Sequence, residues 1–138
     1  MSDTNLTNYK DCSIWNALEI VRPKWAIHVI LELMVAPEGS LAFSDFERLI
    51  PDINPRMLSK RLKSLEQHKI IEKFIEDPTK PKKTRYKLTK AGKSFVNVIL
   101  ALRTWSVENV SKNDECKNDL CRHILFIKQN FKDMIQLA

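Results

Sequence analysis

A mainly α-helical fold carrying one small β-hairpin is predicted for this chain of 138 residues, on three observations. Apolar residues recur at helical spacing in several separate segments. A short helix pattern, a turn and a longer lysine- and arginine-rich helix pattern follow one another over residues 45–70. Two alternating stretches then flank the turn DPTKPKKT, which is the pattern of a hairpin. The length and a 43% share of apolar residues suit a single domain with a real core.

Taken in order, Ile14, Leu18 and Val21 repeat at i, i+4, i+7, with Trp15 widening the stripe, so residues 13–22 are expected to form an amphipathic helix. Pro23 closes it and serves as the first turn of the next helix. Residues 24–35, KWAIHVILELMV, are apolar nearly all round and mark a buried central helix. Its one polar stripe, His28 and Glu32, is expected to be a surface pair. Pro37 and Gly39 end that helix, and SLAF is short enough for one small strand. Ser44 followed three residues later by Glu47 has the form of a capping box, which starts a third helix at Asp45. Pro51 and Asp52 break it. Asn54 followed by Pro55 is a strong cap and first-position pair for a fourth helix, and the two helices with their turn make a helix-turn-helix.

The face of that fourth helix decides its use. With successive residues about 100° apart, Leu58, Leu62 and Leu65 fall within an arc of about 60°. Arg56, Lys60, Lys63 and Gln67 stand opposite them, with Ser59 alongside and Met57 and Arg61 on the other boundary. Such a ridge fits a major groove, because its side chains donate to base edges and phosphates. A helix that begins at Pro55 also turns its free amides and positive dipole end toward anions.

Strands are expected in IIEKFIE and RYKLT, joined by a basic tip with Lys80, Lys82, Lys83 and Arg85. The hairpin therefore reads as a wing beside the basic helix. Thr89 caps a helix expected over residues 90–110, with Ile99, Leu102 and Ser106 on one face and Trp105 beside it. After the polar break SKNDECKND, the residues Leu120, Ile124, Ile127, Phe131 and Met134 form a heptad seam. A seam of this length needs a partner, the chain's own core or a second copy, and two such terminal helices favour a homodimer.

The net charge of +6 is regional. Residues 54–93 hold thirteen Lys and Arg against four Asp and Glu, a local +9, so the remainder carries −3. Concentrated positive charge suits a polyanion better than a small metabolite. The apolar runs fall far short of the roughly 20 residues of a membrane span, and MSDTNLTNYKD lacks a signal-peptide core. A cytoplasmic location is expected, in agreement with three cysteines that lack framework spacing.

These elements, in this order, resemble the HxlR-type winged helix-turn-helix regulators, relatives of the MarR group. The resemblance is carried by Cys12 placed twelve residues before Lys24-Trp25, by FSDFERLIPDINPRMLSKRLKSLEQHKIIEK, by the proline-bearing wing, and by YKLTKAGKSF at 86–95. It implies a homodimeric transcription factor on a palindromic operator, some members sensing electrophiles or oxidants through the N-terminal cysteine. It implies DNA contacts from Asn54, Arg56, Met57, Ser59, Lys60 and Lys63, a phosphate contact from Ser44, and wing contacts from Lys82, Lys83 and Arg85. The chain departs from the family at Arg22-Pro23, where a glycine pair is usual, and at Ser13, where a proline usually follows the cysteine.

The domain expectation is an arm over 1–12, a DNA-binding core over 13–93 and dimerisation helices over 94–138. Cys12 is the candidate redox sensor: Lys10 and the helix start at Ser13 activate a thiol, whereas Asp11 opposes activation. Cys116, Cys121 and His123 are not expected to hold zinc, because residues five apart on one helix diverge by about 140°. No cofactor is expected, and the effector is not legible. Catalysis is not expected either: there is no glycine-rich phosphate loop, paired-carboxylate spacing or nucleophile with a nearby base. The alternative is a winged-helix module for a protein or RNA partner without operator specificity.

Overall fold

The computed structural model describes residues 8–79 and 83–136. Its helices are α1 (Ser13–Val21), α2 (Ala26–Met34), α3 (Phe43–Leu49), α4 (Pro55–Gln67), α5 (Lys90–Ser94), α6 (Val96–Asn109), α7 (Asp114–Lys117) and α8 (Arg122–Asn130). Strands β1 (Leu41–Ala42), β2 (Ile71–Ile75) and β3 (Thr84–Leu88) form an antiparallel sheet in the order β1-β3-β2. This is a winged helix-turn-helix, with α3 and α4 as the helix pair and β2-β3 as the wing.

The core is built around α2, as its all-round apolar sequence requires. Val29, Ile30, Leu33 and Met34 meet Phe46 of α3, Leu58, Leu62 and Leu65 of α4, Ile71 and Leu88 of the wing base, and Val96, Ile127 and Phe131 of the C-terminal segment. One cluster therefore joins the helix-turn-helix to the last helices.

Several expected boundaries move, each for a local reason. Helix α2 begins two residues late because Trp25 adopts φ of 79°, a left-handed conformation that cannot continue a helix. The turn is held from α4: Arg61 donates from Nε to the Lys24 carbonyl at 2.8 Å. Helix α3 begins at Phe43, before the expected Ser44 cap. Asp45 reaches back to accept the Ala42 amide at 2.8 Å, so the third residue of the helix satisfies its entrance and Ser44 lies inside the first turn. The helix expected over 90–110 bends at Phe95, whose amide bonds to Gly92 at 3.2 Å in a tighter turn. Three residues earlier, Gly92 sits directly on the backbone of Ile70.

The polar break holds the single turn α7, which ends in a full Schellman motif. Asp119 takes φ of 63°, its amide bonds to the Cys116 carbonyl at 3.3 Å, and the Leu120 amide bonds to the Glu115 carbonyl at 2.6 Å. The chain reverses there, and Cys121 becomes the N-cap of α8. Cys116 and Cys121 therefore lie on different elements, and both thiols line one cavity of about 280 Å3. The expectation that the two sulfurs diverge along a helix is corrected.

The residues of the heptad seam divide between core and surface. Ile124, Ile127 and Phe131 are buried in the chain's own core, Met134 is half-buried, and Leu120 is 61% exposed. Leu102 and Trp105 of α6 do remain exposed.

Glu32 gives the largest departure from expectation. It is 6% exposed, accepting from Arg122 Nη2 at 2.9 and 3.1 Å and lying 2.9 Å from His123 Nε2. Burial pushes its carboxyl up, but the hydrogen bonds from His123 and Arg122 and their charge prevail and hold it below its ordinary value of 4.5. A carboxylate with a depressed value in the fold stabilises fully above the unfolded value, and that contribution fades as pH falls through the folded one. Glu32→Gln is therefore expected to destabilise the protein by about 1–3 kcal/mol at pH 7. In urea titrations its deficit against the parent shrinks as pH drops below 4.5; a deficit that stays constant down to acid pH would contradict the assignment.

Candidate nucleic-acid interface

Helix α4 has every feature that its sequence promised at the entrance. Asn54 Oδ1 accepts the Met57 amide at 2.8 Å, and Pro55 occupies the first turn. At the exit, Lys69 takes φ of 60°. The Ile70 amide there bonds to the Leu65 carbonyl at 3.0 Å and the Lys69 amide to the Glu66 carbonyl at 3.0 Å, a second Schellman turn that launches β2. Leu58, Leu62 and Leu65 are buried, so the helix cannot roll. Its outer face is fixed by packing on the inner one.

That outer face presents Arg56, Ser59, Lys60, Lys63 and Gln67, all exposed. Among the described residues, Arg56, Lys60 and Lys63 have no carboxylate within ion-pair distance. Arg61 differs, since its guanidinium is engaged with Lys24 and with Met57 Sδ at 3.2 Å. Met57 is half-buried and packs against the core, so it borders the ridge and supports Arg61. The carbonyl oxygen of the Asn54 side chain is likewise occupied by the cap.

The start of α3 and the tip end of β3 enclose a groove of about 590 Å3 lined by Ser44, Glu47, Lys83, Thr84 and Arg85. Ser44 is exposed on its wall. The Ala42 amide holds the Asp45 carboxyl below its ordinary value, against a partial desolvation penalty and with help from Arg48 and Arg85. The acid at the groove is thus kept ionised by the fold.

Arg85, expected as a wing contact, is anchored within the fold. Its Nε donates to Ser40 Oγ at 2.9 Å and its Nη2 to the Ser40 carbonyl at 3.0 Å, and its side chain is only 16% exposed. The guanidinium joins β3 to the chain entering β1. Lys83 is exposed at the wing, whereas Lys80 and Lys82 lie outside the described residues. The turn leading into the wing tip is ordered by Asp77, whose Oδ1 accepts from the Thr79 amide at 2.9 Å and hydroxyl at 2.6 Å; these bonds also lower the Asp77 carboxyl.

Sequence reasoning missed the two long-range anchors of the interface. Arg61 to Lys24 spans 37 positions and Arg85 to Ser40 spans 45, distances at which no local pattern signals a contact. Cys12 is exposed at the N-cap of α1.

A helix pair, a wing and a capped helix with unpaired cations facing away from its core define the class of winged helix-turn-helix DNA-binding proteins. Within that class the chain belongs to the HxlR family: the HxlR-like helix-turn-helix family model matches residues 20–114. It is similar to an uncharacterized HTH-type transcriptional regulator of Bacillus subtilis (strain 168), YdeP, with 27% identity covering 82% of this chain and 85% of that protein. Among solved structures it is similar to the reduced form of the transcriptional regulator YodB from B. subtilis, with a TM-score of 0.62 and 26% identity over 74% of this chain and 96% of that one. The redox regulator HypR in its oxidized form matches with a TM-score of 0.62 and 26% identity over 72% and 99% of the two chains. The chain is a transcriptional regulator of the helix-turn-helix type. No helix among the described residues is long and apolar enough to cross a membrane.

Proposed function

We propose that the protein is a homodimer that reads a pseudo-palindromic operator in duplex DNA, with α4 of each copy in a major groove. The observation that carries this reading is the unpaired ridge of Arg56, Ser59, Lys60 and Lys63 on a helix whose inner face is locked into the core. Arg56, near the N-terminus of α4, reads a base edge; Lys60 and Lys63 neutralise phosphates. Asn54, through its free amide group, and Ser44 and Lys83, across the groove, position the backbone. Lys82 is assigned the same task from the sequence.

Exposed apolar side chains support the dimer. Helix α1 buries none of its residues, and Ile14 is 72% exposed, although its stripe is that of a packed helix. Trp15, Leu18, Leu102, Trp105 and Leu120 are also exposed. A second copy that covers these faces sets the two α4 helices about 34–36 Å apart, one helical turn of DNA. The rival reading, a module for single-stranded RNA, needs stacking aromatics on the basic face. Tyr86 is unsuited to that use, being half-buried and edge-on to Phe46 at 6.2 Å between ring centroids.

Regulation through Cys12 follows from the same reading. Its thiol is exposed at the head of the unpartnered α1, so modification there alters the dimer contact and the spacing of the two reading helices. The redox regulator HypR is among the proteins whose structures this chain resembles.

The test separates base reading from phosphate binding. Arg56→Ala is expected to cost about 1–3 kcal/mol on the operator and much less on random duplex. Lys83→Ala weakens both alike. Equal losses on the two duplexes for Arg56→Ala would reject its base-reading role.

A further inference from the structure

We propose that Cys116 and Cys121 form a dithiol site that hydroperoxides oxidise to an intrachain disulfide, a modification separate from anything at Cys12. The Schellman turn at Asp119 folds the chain back after α7, so that the cap of α8 returns toward Cys116. Both thiols line the same cavity under α6, together with Arg103 and His123. Each is partly exposed, so a small oxidant reaches it.

The loop between them is held in this reversed shape by α6 and α8. Arg103 donates from Nε to the Cys116 carbonyl at 3.1 Å and also grips the Asp119 carboxylate, which Lys128 binds from the other side. The neighbouring Cys121 thiol, with partial burial, pushes the Cys116 thiol up, and the Arg103 charge opposes the shift. A pre-formed approach of this kind lowers the entropic cost of closing the bond.

The chemistry balances without a further reagent. One thiolate attacks a peroxide oxygen; the S–O bond forms, the O–O bond breaks, and an alcohol or water leaves with the proton. The second thiol attacks the resulting sulfenic sulfur, the S–S bond forms, the S–O bond breaks, and water departs. Two thiols lose two electrons to the peroxide. A low-molecular-weight thiol reverses the change by exchange.

Trypsin makes the test direct, because it cuts between the two cysteines at Lys117. The full-length protein is reduced, desalted, treated with hydrogen peroxide, blocked with N-ethylmaleimide and digested without reductant. Cys116 then resides on NDECK and Cys121 on NDLCR, and the disulfide joins the two peptides into one species that separates on reduction. The expected result is that this joined species dominates, in protein that runs as a single chain on a non-reducing gel, and that it persists in Cys12→Ser. Both peptides carrying maleimide or higher sulfur acids, or joined only within a covalent dimer, would overturn the proposal.

Discussion

Replacing Lys60 and Lys63 together by glutamate is expected to lower affinity for the operator about 100-fold or more near 0.15 M salt, and to flatten the salt dependence by about two units of slope per chain. Each lysine neutralises one phosphate in the proposed complex, and each removed contact forfeits the release of its condensed counterion. The two new carboxylates then repel the backbone. Both residues are exposed and stand opposite Leu58, Leu62 and Leu65, so folding changes by no more than about 0.5 kcal/mol. Anisotropy with labelled duplex measures the first quantity and a urea titration the second. Affinity within a factor of about two of the parent would place the duplex elsewhere on the protein.

Gly92→Ala is expected to destabilise the fold by about 3 kcal/mol, a shift of about 10 °C in Tm for a chain of this size. A methyl group at that position would lie 2.2 Å from the Ile70 carbonyl oxygen and 2.9 Å from a Leu88 methyl. Neither neighbour is free to retreat. The Ile70 carbonyl accepts the Thr89 amide at 3.0 Å, and the Thr89 hydroxyl donates to the Lys69 carbonyl at 2.7 Å while it caps α5 through the Gly92 amide at 3.2 Å. The stretch LTKAG thus clamps the end of the wing to the end of α4. A loss below about 0.5 kcal/mol would mean that α5 shifts at little cost, and that the clamp does not fix the wing.

The interface was legible in the sequence where its causes are local. Asn54-Pro55 specifies an entrance within four residues, and the spacing of Leu58, Leu62 and Leu65 sets which face is left over for cations. The hairpin was legible for the same reason, alternation around a proline-bearing turn. Cross-chain chemistry was not legible. Glu32 had the look of a surface residue because its partners Arg122 and His123 lie 90 and 91 positions away; the one available signal was a carboxylate in a helix whose other residues, His28 apart, are apolar. The true cap of α3 and the anchoring of Arg85 were hidden for a related reason. Asp45 supplies from inside α3 what a preceding serine supplies elsewhere, and Ser40 captures a guanidinium that composition alone assigns to solvent.

The C-terminal seam shows how periodicity names a buried face without naming what buries it. Ile124, Ile127 and Phe131 satisfy a coiled-coil spacing, yet all three are buried within the chain itself, Ile127 and Phe131 in the cluster around α2. The unexplained apolar surface lies instead on α1 and on the outer side of α6. Cys116 and Cys121 converge because of a left-handed residue, Asp119, that no helical spacing anticipates.

The central claim, that α4 reads duplex sequence, is tested most directly by fluorescence anisotropy of the unmodified, reduced protein. Labelled duplex from the region upstream of its own gene is compared with a scrambled duplex of equal length across a salt series. The account predicts two chains per operator, a steep salt slope near −0.9 per phosphate neutralised, and binding to scrambled duplex weaker by about 1000-fold or more. Equal affinity for the two duplexes, or a shallow slope on both, would contradict it.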